Sequence, residues 1–257
     1  GEIVTPMFEE QELFVLKSGE GILGEMYAFE DKGGRGIALR PELTAPTIRA
    51  YVNEAQVAPK PLRWFYFEEC FRYERPQKGR YRQFWQFGCE LIGADSAAAD
   101  AEVIALAYSL LKCTGVNFII KVGHLAPMKS LLADLDAVEQ KKVMSALDKR
   151  DEELLKNTVA SLGKPELFEP LVALTKAQSL AEVFAVVGDI PEKARIEETF
   201  GFLEAQNIPV VYNFGIARGL DYYTGMVFEG FADNLGAENQ ILGGGVYRLA
   251  HLFGGKD

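Results

Sequence analysis

The sequence predicts an α+β fold, an antiparallel β-sheet flanked by helices with an all-helical insertion. Three observations carry that prediction. Aromatic and apolar runs of strand character stand at residues 62–74 and 82–92, joined by the polar link Arg75-Pro76-Gln77-Lys78-Gly79-Arg80, and they read as an antiparallel pair. Strand character returns at 209–214 and 222–231 and continues into Gly243-Gly244-Gly245. Between these regions, from about Pro127 to Phe200, the pattern is helical throughout.

Taken in order, the first stretch reads as strands and turns. Residues 26–29 are short and apolar, 31–36 form a glycine-rich turn, and 37–40 resume the strand, which makes a hairpin. Residues 45–53 have helical spacing, with Ile48 and Val52 on one face and Arg49 turned away. A helix is expected over 97–111 and a strand over 117–123. The helical block divides into 129–135, 137–147, 151–162, 165–175, 179–187 and 194–203, with Pro and Gly at several breaks. The organisation expected is therefore a core in two parts, 1–126 and 201–257, around an insertion at 127–200.

Composition narrows the function. A formal net charge of −10 argues against a protein built around a broad electrostatic grip on nucleic acid, and points to an enzyme acting on small molecules. The three cysteines lack the paired spacing of a zinc site or a disulfide framework. His124 and His251 are far apart, so a metallohydrolase is not expected and no metal ligand is assigned. No run of about eighteen apolar residues occurs, and Gly1-Glu2-Ile3-Val4-Thr5-Pro6 does not resemble a signal peptide, so a cytoplasmic protein without a membrane partner is expected.

Strand alternation makes 62–92 informative. With period two, Phe84, Gln86 and Glu90 share one face, while Trp85, Phe87, Cys89 and Leu91 share the other. Arg72 and Glu74 likewise lie opposite Phe71 and Tyr73. If the polar faces coincide, an arginine, two carboxylates, an amide and a ring converge; the plainer reading has these groups facing solvent. Two further segments carry glycines beside functional side chains. Residues 217–225 read either as a ligand-approach segment or as a polar turn entering a strand. Residues 243–248 suit a phosphate or ribose against the main chain, but equally a bulge or a crowded crossing.

Residues 71–86, Phe-Arg-Tyr-Glu-Arg-Pro-Gln-Lys-Gly-Arg-Tyr-Arg-Gln-Phe-Trp-Gln, resemble motif 2 of class II aminoacyl-tRNA synthetases in its histidyl form. Arg218-Gly219-Leu220-Asp221-Tyr222-Tyr223-Thr224-Gly225 resembles the histidine-specific signature of that family, and Arg40-Pro41-Glu42-Leu43-Thr44 resembles its amino-acid-binding turn. The order and spacing of the three agree, so the resemblance covers nearly the whole chain. One departure is that many bacterial members carry Gly-Gly-Gly-Arg-Tyr-Asp, whereas Val246 stands here at the arginine and Arg248 follows the tyrosine, a wording that looks archaeal.

The resemblance implies a class II synthetase-like sheet and a two-step reaction, in which ATP activates L-histidine and the histidyl group passes to tRNA(His). It implies catalytic roles for Arg72 and Arg218, which hold the α-phosphate and the reacting carboxylate. Histidine binding falls to Glu42, Thr44 and Gln86 at the α-ammonium group and to Glu90 and Tyr223, with Tyr222 nearby, at the imidazole. ATP binding falls to Arg72, Glu74, Arg80, Phe84 and Arg248, with Mg²⁺ carried on the ATP phosphates. It also implies a homodimer in the full-length enzyme, and a helical insertion suited to clamping the tRNA acceptor arm.

Family members begin earlier, with the motif 1 helix, and continue into motif 3 and an anticodon-binding domain. The chain is accordingly read as a catalytic-domain fragment without those parts. The alternative function is a regulatory paralogue that binds histidine and partners ATP phosphoribosyltransferase without aminoacylation. Such paralogues usually lose the signature or motif 2 residues, and Arg72, Glu74 and Arg218 are all present here.

Overall fold

The structure, a computed structural model, describes residues 1–75, 78–215, 222–233, 235 and 239–256. The chain divides into two compact units, Gly1–Asp95 with Asn234–Asn239 and Arg248–Asp257, and Ser96–Asp233 with Gln240–Tyr247. The block expected at 127–200 lies inside the second of these.

In the first unit, β1 (Phe8–Glu10), β2 (Ala28–Glu30) and β3 (Gly36–Leu39) form an antiparallel sheet in the order β1-β3-β2. The pair Phe29 and Ile37 marks the expected hairpin. Its turn is held by the Asp31 carboxylate, which accepts from Gly33 N–H at 2.8 Å and Arg35 N–H at 3.0 Å. Ahead of that hairpin, where no element is expected from the sequence, Gln11–Ser18 form a helix, α1. It is eight residues long, has no side-chain cap at Glu10 and buries Leu13 and Phe14, too short a stretch for a 3.6-residue period to stand out. Those two side chains pack with Met26, Ala38 and Ala45. Helix α2 (Thr44–Ala50) runs into a π-turn at Tyr51–Ala55.

The long strands β4 (Leu62–Phe71) and β5 (Gln83–Ile92) pair antiparallel over their whole length, from Leu62 opposite Ile92 to Phe71 opposite Gln83. One face, carrying Tyr66, Cys70 and Glu90, is buried. The other exposes Phe65, Phe67, Trp85 and Phe87, whose rings pair across the strands as Phe65 with Phe87 and Phe67 with Trp85.

The second unit has a four-stranded sheet in the order β7-β6-β8-β9, made of β6 (Phe118–His124), β7 (Val211–Tyr212), β8 (Tyr223–Ala232) and β9 (Gln240–Tyr247). Its β6-β8 and β8-β9 pairs are antiparallel, and β7 joins β6 in parallel. Helix α3 (Ala97–Thr114) starts where the Ser96 hydroxyl accepts from Ala99 N–H and stops at Gly115, whose φ of 72° is the left-handed cap glycine tolerates.

Six helices follow: α4 (Leu125–Leu131), α5 (Ala137–Asp148), α6 (Glu152–Ser161), α7 (Phe168–Lys176), α8 (Leu180–Val187) and α9 (Lys193–Ala205). Their apolar faces share one core with the sheet, in which Val143, Val159, Leu171, Leu174 and Ile196 meet Ile120, Val122 and Phe228. Each such side chain contributes about 1.5–3 kcal/mol by leaving water. Across that core Arg195 on α9 grips Asp100 on α3 through two hydrogen bonds, at 3.0 and 3.1 Å.

Candidate active site

The buried face of the β4–β5 pair is the polar one. Tyr66 stands directly opposite Gly88 and Glu68 opposite Gln86, so Tyr66, Cys70, Phe84, Gln86 and Glu90 share one side. The Tyr66 hydroxyl donates to Glu90 Oε1 at 3.2 Å and lies 3.5 Å from Thr44 Oγ1. Burial, and next the Glu90 charge, push the Tyr66 phenol well above its ordinary range, while the Thr44 contact acts in the opposite sense. Tyr66 is therefore a fixed donor. Four residues along the strand, the Cys70 thiol donates to Gln86 Oε1 at 3.3 Å. Burial drives that thiol up to about 12, despite the guanidinium groups of Arg72 and Arg40.

Beside this floor the turn before α2 is built on Arg40, which is 1% exposed. Its guanidinium donates to Glu69 O at 2.8 Å and Thr5 O at 2.8 Å, and to the Glu68 carboxylate at 2.7 Å. These bonds satisfy a buried cation and fix where Pro41 and Glu42 begin. The Glu42 carboxylate then accepts from the backbone N–H of Thr44 at 2.9 Å and of Ala45 at 3.1 Å, and pairs with Lys17 at 3.0 Å. Glu42 thus serves the orphan donors that start α2, and its side chain is already engaged where the family's pattern would put an ammonium group.

Arg72 is anchored through Nε, which donates to Pro41 O at 2.8 Å, with its guanidinium 5.1 Å from the centre of the Phe84 ring. Glu74 Oε1 is 3.8 Å from Nη1 of Arg72 and 3.8 Å from Nη1 of Arg80. At that separation and with partial exposure such pairs bind loosely. Cations and a planar ring next to buried acceptors suit a ligand that joins a phosphate to a group rich in N–H donors.

In the second unit the Tyr222 and Tyr223 rings stand 4.3 Å apart, and Tyr223 packs against Leu125 and Val227. The glycine run is a crowded crossing. A Cβ on Gly244 would enter the Phe228 ring, and one on Gly245 would lie 2.8 Å from Cδ1 of Tyr223. Arg248, in the first unit, forms an exposed pair with Asp95 at 2.8 Å. Arg218 and the rest of residues 216–221 lie outside the described residues.

Thus Glu42, Thr44, Arg72, Glu74, Arg80, Phe84, Gln86 and Glu90 fall within one unit, and Tyr222 and Tyr223 within the other. Sequence reasoning missed Tyr66, Cys70 and Lys17. The first two could have been found by extending the even-numbered face of β4 backwards from Arg72; nothing local marks Lys17.

Against known proteins, the family model for histidyl-tRNA synthetase matches residues 1–257. The histidine-tRNA ligase of Methanocorpusculum labreanum is 81% identical over 257 residues, which is all of this chain and 63% of that protein. The corresponding ligase of Methanocaldococcus jannaschii is 44% identical over 99% of this chain and 63% of its own length. The chain therefore spans a little under two thirds of these relatives. Among solved structures, one from Bacillus halodurans, described as an ATP phosphoribosyltransferase regulatory subunit/histidyl-tRNA synthetase, superposes with a TM-score of 0.84 at 27% identity, covering 100% of this chain and 70% of that one. The Nostoc histidyl-tRNA synthetase shares the fold at a TM-score of 0.78 and 23% identity, over 99% of this chain and 63% of that one.

Proposed function

Because the chain belongs to the histidyl-tRNA synthetase family, we propose that it is the catalytic part of a class II histidine-tRNA ligase, which condenses L-histidine with ATP and passes the histidyl group to the 3′ end of tRNA(His). In the first step a histidine carboxylate oxygen attacks the α-phosphorus and pyrophosphate leaves. In the second the ribose hydroxyl of the tRNA end attacks the acyl carbon and AMP leaves. Neither step needs a covalent enzyme intermediate, so catalysis is positioning plus stabilisation of charge gathering on the α-phosphoryl oxygens.

The observation that carries this reading is the buried carboxylate of Glu90, 7% exposed, on the same face as the Arg72–Phe84 pair. A fixed acceptor of that kind reads an imidazole N–H and rejects apolar amino acids, since their binding would leave it without a ligand partner. Arg72 and Arg218 hold the α-phosphate and the reacting carboxylate. Glu74 accepts from the adenine amino group and Phe84 stacks on the ring, while Arg80 and Arg248 meet the outer phosphates. Glu42, Thr44 and Gln86 take the α-ammonium group, and Tyr222 and Tyr223 serve histidine on the wording of their signature alone.

Among the described residues no group of three or more His, Cys, Asp or Glu is placed to hold a metal ion. Mg²⁺ fits instead as a companion of ATP, neutralising phosphate charge with the two arginines. The reading extends to a homodimeric cytoplasmic enzyme whose helices at 127–200 are an insertion meeting the tRNA acceptor arm. No helix among the described residues is long and apolar enough to cross a membrane.

The test is histidine-dependent ATP–pyrophosphate exchange by the full-length protein, with Glu90→Gln as the variant. Removing the charge and turning one acceptor oxygen into a donor should lower kcat/KM for histidine roughly 10- to 100-fold. A full-length protein that binds histidine yet exchanges no pyrophosphate is a regulatory paralogue instead.

A further inference from the structure

Tyr66 occupies a place that the strand pairing makes specially for it. It faces Gly88 across the β4–β5 ladder, and a Cβ on Gly88 would run into the phenol ring. The ring packs with Leu43 and Cys70, with Ile3 and Phe84 against the same cluster, so the side chain has little freedom beyond rotation of its hydroxyl. That hydroxyl touches two residues from separate parts of the site, donating to Glu90 Oε1 at 3.2 Å and standing 3.5 Å from Thr44 Oγ1. A buried phenol that donates to a carboxylate keeps that oxygen an acceptor and restrains how the group can turn, here through a bond of moderate length, 3.2 Å.

We propose that Tyr66 is a positioning residue for amino-acid selection: it orients the Glu90 carboxylate towards an imidazole N–H and couples that carboxylate to Thr44. The inference rests on the reading of Glu90 given above and deepens it, since it names the group that decides how well Glu90 discriminates. Burial and the Glu90 charge keep the phenol protonated, so it remains a donor throughout the working pH range. Tyr66 itself touches no reacting atom. Its loss should change how tightly and how selectively histidine is held, and leave the phosphoryl chemistry alone.

The experiment is steady-state pyrophosphate exchange by the full-length protein as Tyr66→Phe, Gly88→Ala and Glu90→Gln, with histidine and with thiazolylalanine, an analogue whose ring has no N–H. Tyr66→Phe keeps the ring and removes the hydroxyl alone. The expected result is a KM for histidine raised roughly tenfold, with kcat and the KM for ATP within about twofold of the parent, and preference over thiazolylalanine reduced by the same factor. Gly88→Ala, which displaces the ring, should show the same selective pattern. Reversible unfolding raises an apparent KM, so each variant is assayed well below the onset of its own thermal unfolding, where a changed KM reports binding alone.

If Tyr66→Phe retains its KM for histidine and its discrimination while Glu90→Gln loses both, the positioning role is wrong and the reading of Glu90 stands. Parallel damage to histidine, ATP and kcat in both Tyr66→Phe and Gly88→Ala would mean a general structural role, and also overturns the proposal. If Glu90→Gln itself leaves histidine kinetics unchanged, the underlying reading fails first.

Discussion

Lys17 Nζ lies 3.0 Å from Glu42 Oε2, and the same carboxylate accepts from the backbone of Thr44 and Ala45 at the head of α2. Both side chains are largely buried, at 8% and 12% exposure, so the pair balances a charge that would otherwise stand uncompensated. Removing the cation with Lys17→Met should cost about 2 kcal/mol of stability, less than a fully buried pair because the backbone donors remain. In its proposed role Glu42 also meets the substrate ammonium, which would replace the lost charge. Saturating histidine should then raise the melting temperature of Lys17→Met more than that of the parent. Equal shifts on thermal denaturation would remove Glu42 from the ammonium site.

The thiols offer a check on the polar floor. Cys113 is exposed, Cys89 partly so, and Cys70 is buried with its thiol driven up to about 12. At pH 8 its thiolate fraction is on the order of one in ten thousand, so iodoacetamide has almost no nucleophile there. Alkylation of the native protein followed by peptide mass analysis should show Cys113 modified first, Cys89 more slowly because burial raises its thiol as well, and Cys70 only after unfolding. Early modification at Cys70 is incompatible with a thiol held against Gln86.

How much of this was legible in the sequence differs from element to element. The alternation along β4 and β5 disclosed which residues share a face, and Phe84, Gln86 and Glu90 do share one. Period two has no sign, however, and composition suggests that the polar side meets water. The opposite holds here: Glu90 is 7% exposed while Trp85 is 58% exposed. The partner of each residue was also hidden, because register depends on pairing. Without knowing that Tyr66 faces Gly88, nothing links Tyr66 to Glu90.

Helix starts show the same limit. The helix after β6 was expected over 129–135 but runs Leu125–Leu131, because the imidazole of His124 caps it and Pro127 sits comfortably in its first turn. A histidine is not a usual cap, so the signal was absent. For the glycine run, spacing left ligand approach and close crossing equally open. The rings of Phe228 and Tyr223 fill the space beside Gly244 and Gly245.

The cap at His124 predicts a pH dependence. His124 Nδ1 accepts from Ala126 N–H at 3.0 Å, so a proton on that nitrogen would set a donor against a donor. Burial, then the charges of Arg195 and Lys129, lower its pKa from 6.5 to about 4. The unfolded chain therefore takes up a proton that the folded chain refuses between these values. Stability is complete above about pH 6.5 and falls as pH drops towards 4, by about 3 kcal/mol in all. His124→Asn keeps a capping acceptor and does not titrate. Urea denaturation at pH 7.5 and pH 5 should show a stability difference in the parent that is reduced by about that amount, prorated to the interval, in His124→Asn. An unchanged difference would place the acid sensitivity elsewhere.

The glycine run allows a test of crowding against ligand approach within three adjacent residues. At Gly245 a Cβ would meet Tyr223 Cδ1 and Met226 O, each at 2.8 Å, and neither an aromatic ring in a packed site nor a backbone oxygen moves cheaply. At Gly243 the Cβ would meet Gln240 Nε2 at 3.2 Å, the far end of a flexible side chain. Gly245→Ala should therefore lose about 1–3 kcal/mol of stability and, on the role proposed for Tyr223, raise the KM for histidine, whereas Gly243→Ala should stay within about 0.5 kcal/mol of the parent. Urea midpoints and the KM for histidine measure the two effects. If Gly243→Ala instead raises the KM for ATP at unchanged stability, the run serves the nucleotide at that position, and ring accommodation explains only its other two glycines.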